Sequence, residues 1–154
     1  MQFVARTIIH ASPERVFAFH ELPDAHRRLT PPWSGSRVIV PAPSLEVGAR
    51  AIVDIRVAPL LWIRTELVHI VYEPPARFVD EQVRGPFKSW RHTHLMTRVG
   101  DGTELADVID LETPFGALAP ILIIPRLRKL FAYRHRVTRE WCERSPLPAA
   151  RGEG

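Results

Sequence analysis

The chain has one cysteine, Cys142, so neither an internal disulfide nor a thiol-based metal motif is possible. With no base or metal motif around it, Cys142 is expected to be a passive small residue. Serine nucleophiles are missing as well. In WSGSR, Ser34 and Ser36 have no base at a recognisable spacing and read as turn residues. The first residues, MQFVARTIIHAS, lack the basic, then apolar, then small pattern of a signal peptide. The longest apolar run, FGALAPILIIP, is too short to span a bilayer and is broken by Pro120. No stable membrane insertion is therefore expected, and a cytoplasmic location is. Repeats and low-complexity tracts are absent apart from SPLPAARGEG, which is expected to be a flexible tail over 145–154.

What remains is a composition ordinary for one globular domain, expected over 1–144: 45% hydrophobic and 25% charged in 154 residues. Fifteen prolines are about twice the usual share, and most fall where elements would end. Acidic residues are the scarcer sign, 17 against 21 Lys and Arg, for a net charge of +4. The excess gathers late in the chain, where Arg126, Arg128, Lys129, Arg134, Arg136, Arg139 and Arg144 face only Glu140 and Glu143. Such a face is a candidate for a protein partner or an anionic surface. No aromatic-studded basic stripe accompanies it, so a solvated helix face is the simpler reading and no nucleic acid is expected.

Residues 3–10, FVARTIIH, read as a first strand. In ASPERVFAFHE, Ser12 fits an N-cap and Pro13 the first helical position, with Val16, Phe17 and His20 on one face. PDAHRRLT suggests a second short helix, stopped by Pro31 and Pro32. The period then becomes two. ARAIVDIRV puts Ala51, Val53, Ile55 and Val57 on one face, and LLWIRTELVHIVYE, RFVDEQV, FKSWRHTHLMTRV and TELADVIDLE follow as strands. Gly85-Pro86 and Gly100-Asp101-Gly102 are hairpin-type separators, giving a meander of about six antiparallel strands. From Arg126 the pattern is helical: Leu127, Leu130, Phe131, Arg134, Val137, Thr138 and Trp141 form one stripe, apolar except at Arg134 and able to cover a sheet.

This order resembles the START/Bet v1-like superfamily, often called SRPBCC. Asp80, Gln82, Gly85, Pro86, Phe87, Trp90, His92 and His94 also fit the pattern Asp-x-Gln-x-x-Gly-Pro-Phe/Tyr-x-x-Trp-x-His-x-His of a bacterial ligand-binding subfamily. The resemblance implies an α+β helix-grip fold: a curved antiparallel sheet around a long C-terminal helix, with two short helices after strand 1. It also implies an internal cavity for a small, largely apolar molecule, lipid-, quinone- or polyketide-like. It does not choose between carriers and enzymes.

Alternation places Trp90, His92, His94 and Met96 on the inward face of one strand, and Leu105, Asp107 and Ile109 on that of the next. A turn centred on Asp101-Gly102 would set Asp107 opposite Met96 and diagonal to His94. In 77–83 either Phe78, Asp80 and Gln82 or Val79, Glu81 and Val83 point inward. An acid among apolar neighbours needs a partner, and His94, His92 and Arg134 are the candidates for Asp107. The expected binding set is thus Asp80, Gln82, Trp90, His92, His94, Met96, Leu105, Asp107, Ile109, Phe131 and Arg134. Such a cluster is either a satisfied polar patch or the group that positions a ligand's polar end.

Ligand binding is the leading reading. In a cyclase- or dehydratase-type enzyme, His94 and Asp107 would instead be the acid–base pair. A third reading is a protein- or membrane-facing module that uses the basic helix, with its protein partner unknown. Two His with one or two Asp suggest a 2-His-1-carboxylate set, but spacing fixes no further ligand, so neither a metal nor another cofactor is expected. Trp33, after two prolines, either caps the pocket mouth or anchors a loop.

Overall fold

A computed structural model describes residues 1–114 and 116–144; the expected tail, 145–154, lies outside them. β1 (Gln2–Ile9) is followed by α1 (Pro13–His20) and α2 (Ala25–Arg28). Six strands come next: β2 (Ser36–Val40), β3 (Arg50–Ala58), β4 (Leu61–Glu73), β5 (Arg77–Arg84), β6 (Ser89–Val99) and β7 (Gly102–Glu112). A short 3-10 turn at Gly116–Leu118 leads into α3 (Ala119–Glu143).

The strands form one antiparallel sheet in the order β1-β7-β6-β5-β4-β3-β2. Register breaks in β4 at Glu66/Leu67 and His69/Val71 add bends of the kind that curl a sheet. This is the helix-grip arrangement that the resemblance implies. β2, which alternation does not single out, is short and half exposed, and it pairs with β3 at the sheet's edge.

Ser12 caps α1, its side chain accepting from the Arg15 amide at 3.3 Å, and Pro13 opens the helix. The buried face carries Val16, Phe17, Phe19 and His20; Phe17 meets Phe78 edge-on at 5.7 Å. α3 begins earlier than its apolar stripe indicates, at Ala119 rather than Arg126. Pro120 sits in the first turn, where its missing N–H costs no helical bond. Pro125 lies inside the helix, and Ile121, whose carbonyl it leaves free, is exposed. Two apolar clusters hold the layers together. One joins α1 to Ile9, Phe78, Met96, Leu105 and Cys142; the other joins Phe3, Ile109 and Leu111 to Ile123, Leu127 and Phe131 of α3.

The β6–β7 turn differs from expectation. Val99 pairs with Gly102, so Gly100 and Asp101 are its central residues. Gly100 has φ +57°, the left-handed conformation that a turn of the II′ kind places at its first central position. Gly102 is small for another reason: a Cβ there would stand 2.7 Å from the Ile9 carbonyl oxygen. The register therefore moves, and Asp107 stands opposite His94, with Met96 opposite Leu105.

Candidate functional site

A cavity of about 1020 Å³ lies between the concave sheet face and α3, and is also bounded by α2 and the loops around β2. Its apolar wall includes Ala51, Val53, Ile55, Leu67, Phe78, Phe87, Trp90, Ile123 and Leu127. Trp33 lines it too, edge-on to Tyr133 at 5.9 Å and under Lys129 Nζ at 4.4 Å. It thereby anchors its loop against α3 while bordering the cavity.

The polar wall comes from adjacent strands. Asp80 pairs across with His69 on one side and His92 on the other; Phe78 pairs with His94, and His94 with Asp107. Phe78, Asp80 and Gln82 line the cavity, which settles the inward face of β5. Asp80, Gln82, Trp90, His92, His94 and Arg134 of the expected set line it as well. Met96, Leu105, Asp107, Ile109 and Phe131 do not line it. They are buried behind it, Met96 and Leu105 in the cluster with α1, Ile109 and Phe131 in the cluster between β7 and α3, and Asp107 among His92, His94 and His135.

Asp107, 3% exposed, is the hub of this wall. His92 Nε2 donates to Oδ1 at 2.8 Å and His135 Nε2 to Oδ2 at 2.6 Å. His94 Nδ1 lies 2.9 Å from Oδ1 but off the hydrogen-bonding direction, a close charge contact rather than a directed bond. Asp80 approaches the other ring nitrogens, its Oδ2 lying 3.5 Å from His92 Nδ1 and 3.6 Å from His94 Nε2. Arg134 makes no direct bond to Asp107, although the two charges attract. Its Nε donates to the Leu29 carbonyl at 3.1 Å, and its guanidinium stands over Phe131 at 5.1 Å.

These contacts set the charges. Burial would raise Asp80, but His94, His92 and His69 outweigh it and hold its carboxyl at about 2. Burial of Asp107 is likewise overcome, by His94, His135 and His92, and its carboxyl stays well below the usual range. Burial and His94 lower His92. In His94 burial is overcome by Asp107 and Asp80, so its pKa is raised. Both carboxylates are thus ionised, and His94 is the imidazole best placed to carry the compensating proton. His20 is pushed down to about 3 by burial and His94, and His26 to about 4 by burial and Arg134. The Cys142 thiol is pushed up to about 12 by burial, which leaves it unreactive.

Gln82 has a mainly local task. Its amide donates to the Phe87 carbonyl at 2.8 Å and accepts from the Phe87 amide at 3.4 Å, clamping the Gly85-Pro86-Phe87 turn. A Cβ on Gly85 would collide with the Gln82 side chain and stand 2.8 Å from Thr65 Cγ2. The Gln-x-x-Gly-Pro-Phe spacing is therefore a packing device that sets Phe87 on Trp90, ring centroids 5.1 Å apart.

Four histidines at or behind the wall were not singled out by the strand pattern: His20, His26, His69 and His135. The signal for His135 was present, since it follows Phe131 by four residues on the buried stripe of α3. His69 shares a face of β4 with Thr65 and Leu67 and could have been found by the same alternation.

Among the described residues no helix is long and apolar enough to cross a membrane. Solved structures share the fold. TTHA0849 from Thermus thermophilus is 15% identical with a TM-score of 0.70, over 92% of this chain and 97% of that one. CV1439 from Chromobacterium violaceum is also 15% identical at 0.70, over 94% and 99%. A nucleoside-diphosphate sugar epimerase from Corynebacterium glutamicum is 24% identical at 0.71, over 90% of this chain but 28% of that one, so the likeness is to one part of that protein. No curated protein matches the chain in sequence. The family described as polyketide cyclase/dehydrase and lipid transport matches residues 9–132, and the chain, with its cavity held under a long terminal helix, belongs to that family.

Proposed function

We propose that the protein binds a small, largely apolar molecule, lipid-, quinone- or polyketide-like, with its oxygenated end against the Asp80, His92 and His94 wall. The observation that carries this reading is a cavity of about 1020 Å³ whose surface is mostly apolar and whose sheet wall brings Asp80, His92 and His94 together. An apolar body gains roughly 25 cal/mol for each Å² it withdraws from water, and a few placed polar groups orient it. Arg134, Arg126 and Lys129 of α3 also line the cavity, so an acidic group on the ligand would sit toward α3, while a neutral hydroxyl or carbonyl suits the wall that carries the Asp80 carboxylate.

An anilinonaphthalene sulfonate, which has apolar rings and an anionic group, is a suitable probe. Its fluorescence rises on wild-type protein with saturation at one equivalent, and native mass spectrometry of protein from its own host shows a co-purifying apolar molecule. Ala51→Phe, at a buried position on the cavity wall, weakens probe binding at least tenfold with little change in melting temperature. Equal binding to both proteins would place the probe elsewhere and sink the reading.

A cyclase- or dehydratase-type reaction is the second reading. What favours it is that His94 lines the cavity with Asp107 against its other nitrogen. In that case His94→Ala keeps the co-purifying molecule bound but abolishes its turnover; unchanged turnover removes His94 from any such chemistry.

A further inference from the structure

We infer that Asp80, His92 and His94 form a binding site for a divalent first-row transition ion of the zinc or ferrous class, with an open coordination position toward the cavity. All three are buried, and one donor atom from each lies within 4.8 Å of the others. Asp80 Oδ2 stands 3.5 Å from His92 Nδ1 and 3.6 Å from His94 Nε2. Those separations exceed a normal N–H···O bond, which spans roughly 2.7–3.2 Å. They match the edge of a tetrahedron around zinc, about 3.4 Å for metal–donor bonds of 2.0–2.2 Å.

The opposite ring nitrogens are held from behind. His92 Nε2 is hydrogen-bonded to Asp107 Oδ1 at 2.8 Å, which holds that imidazole with its Nδ1 toward Asp80. A ring nitrogen and a carboxylate oxygen facing each other are bridged by a proton or a metal ion, and 3.5 Å is long for the first and suited to the second. His94 is oriented alike, with Nδ1 in close charge contact with Asp107 at 2.9 Å and Nε2 toward Asp80. A carboxylate behind metal-bound histidines fixes their tautomer and raises their basicity. Charge balance points the same way. Two buried carboxylates, Asp80 and Asp107, stand on this wall, and a dication would displace the proton held at His94 and take over its compensating role.

The three donors line the cavity, whereas Asp107 does not. The open position therefore faces the space that an organic ligand would fill. An ion there takes an oxygen donor, such as the enolate of a 1,3-dicarbonyl or the paired oxygens of a hydroxyquinone, and polarises it as a Lewis acid. His69, across the strand pair from Asp80, has a buried Nδ1 without a hydrogen-bond partner among the described residues and stands beside this group.

The test uses untagged full-length protein, stripped with chelator and titrated with cobalt(II) in the absence of any organic ligand, so its outcome is independent of the cavity-binding reading. One equivalent of cobalt is expected to give the intense visible absorption of a four-coordinate site, and one equivalent of zinc to abolish it. Asp80→Asn eliminates the band, while Asp107→Asn weakens cobalt binding on the order of 10- to 100-fold. Circular dichroism checks that both variants are folded. Failure of the wild-type protein to take up cobalt overturns the inference even if a variant does not fold. Uptake by folded Asp80→Asn equal to that of wild type overturns it as well.

Discussion

Asp107→Ala is expected to lower the stability of the metal-free protein by about 3–5 kcal/mol, the usual cost of removing one partner from a buried charged network. Asp107 is 3% exposed and accepts directed bonds from His92 and His135 while lying against His94. Its loss strands imidazole N–H groups contributed by β6 and α3 in a space too confined for free solvation. Each stranded donor costs about 1–3 kcal/mol. The site also ties α3 to the sheet, so the loss is felt across the interface rather than within one hairpin. For a chain of this size the change corresponds to a fall in melting temperature on the order of 10 °C. Asp107→Asn, which keeps the volume and one acceptor, should lose roughly half as much. Chemical denaturation of the two variants beside wild type reads both values. A loss below about 1 kcal/mol for Asp107→Ala would mean that the imidazoles find other partners.

His20 gives the second large effect, through pH. Its folded pKa is about 3 because burial and the neighbouring His94 disfavour the charged form, whereas an unfolded histidine titrates near 6.5. Between those values the unfolded chain binds the extra proton. The stability contribution is therefore complete above about pH 6.5 and is lost progressively as the pH falls toward the folded pKa. From pH 7 to pH 5 the loss is of order 2 kcal/mol.

The groups around His20 do not all act with it. His92 on β6, also depressed, adds in the same direction. His94 on β6 is raised and contributes stability that is present at low pH and lost as the pH rises. Asp107 on β7 titrates well below this window. A difference measurement isolates His20. His20→Asn keeps a donor within reach of the Val16 carbonyl, which the His20 ring contacts at 2.9 Å. Its stability should fall less steeply than wild type between pH 7 and pH 5, the two curves converging by about 2 kcal/mol. Parallel curves would show that His20 charges without unfolding cost.

Alternation and capping carried most of the fold. Ser12 and Pro13, the long strands and the stripe Leu127, Phe131 and Thr138 are local signals: a side chain's face follows from its place in a period of two or 3.6, whatever lies opposite. The signals weakened where two neighbours compete. The β5 pattern reads equally well either way, because Val79 on its second face is buried as well as Phe78 on its first. β2 has too few residues and too much exposure to show a period. The helix start was hidden because Pro120 and Pro125 read as breakers, although a first turn tolerates the one and an exposed end the other.

The site shows the same division more sharply. The sequence by itself determined that Trp90, His92 and His94 share a face and that Asp107 is an acid in an inward row. It could not determine which of them meet. A two-residue difference in strand pairing, set by a turn centred on Gly100-Asp101 rather than Asp101-Gly102, moved Asp107 from opposite Met96 to opposite His94. His135 reaches Asp107 from α3, 28 positions along the chain, and Arg134 beside it turns to Leu29 instead. Whether a side chain lines the cavity or stands behind it depended on how the sheet curls under α3, which separates Asp80, His92 and His94 from Asp107. Local periodicity assigns faces; contacts between strands and helix are long-range, and only the packed tertiary structure decides them.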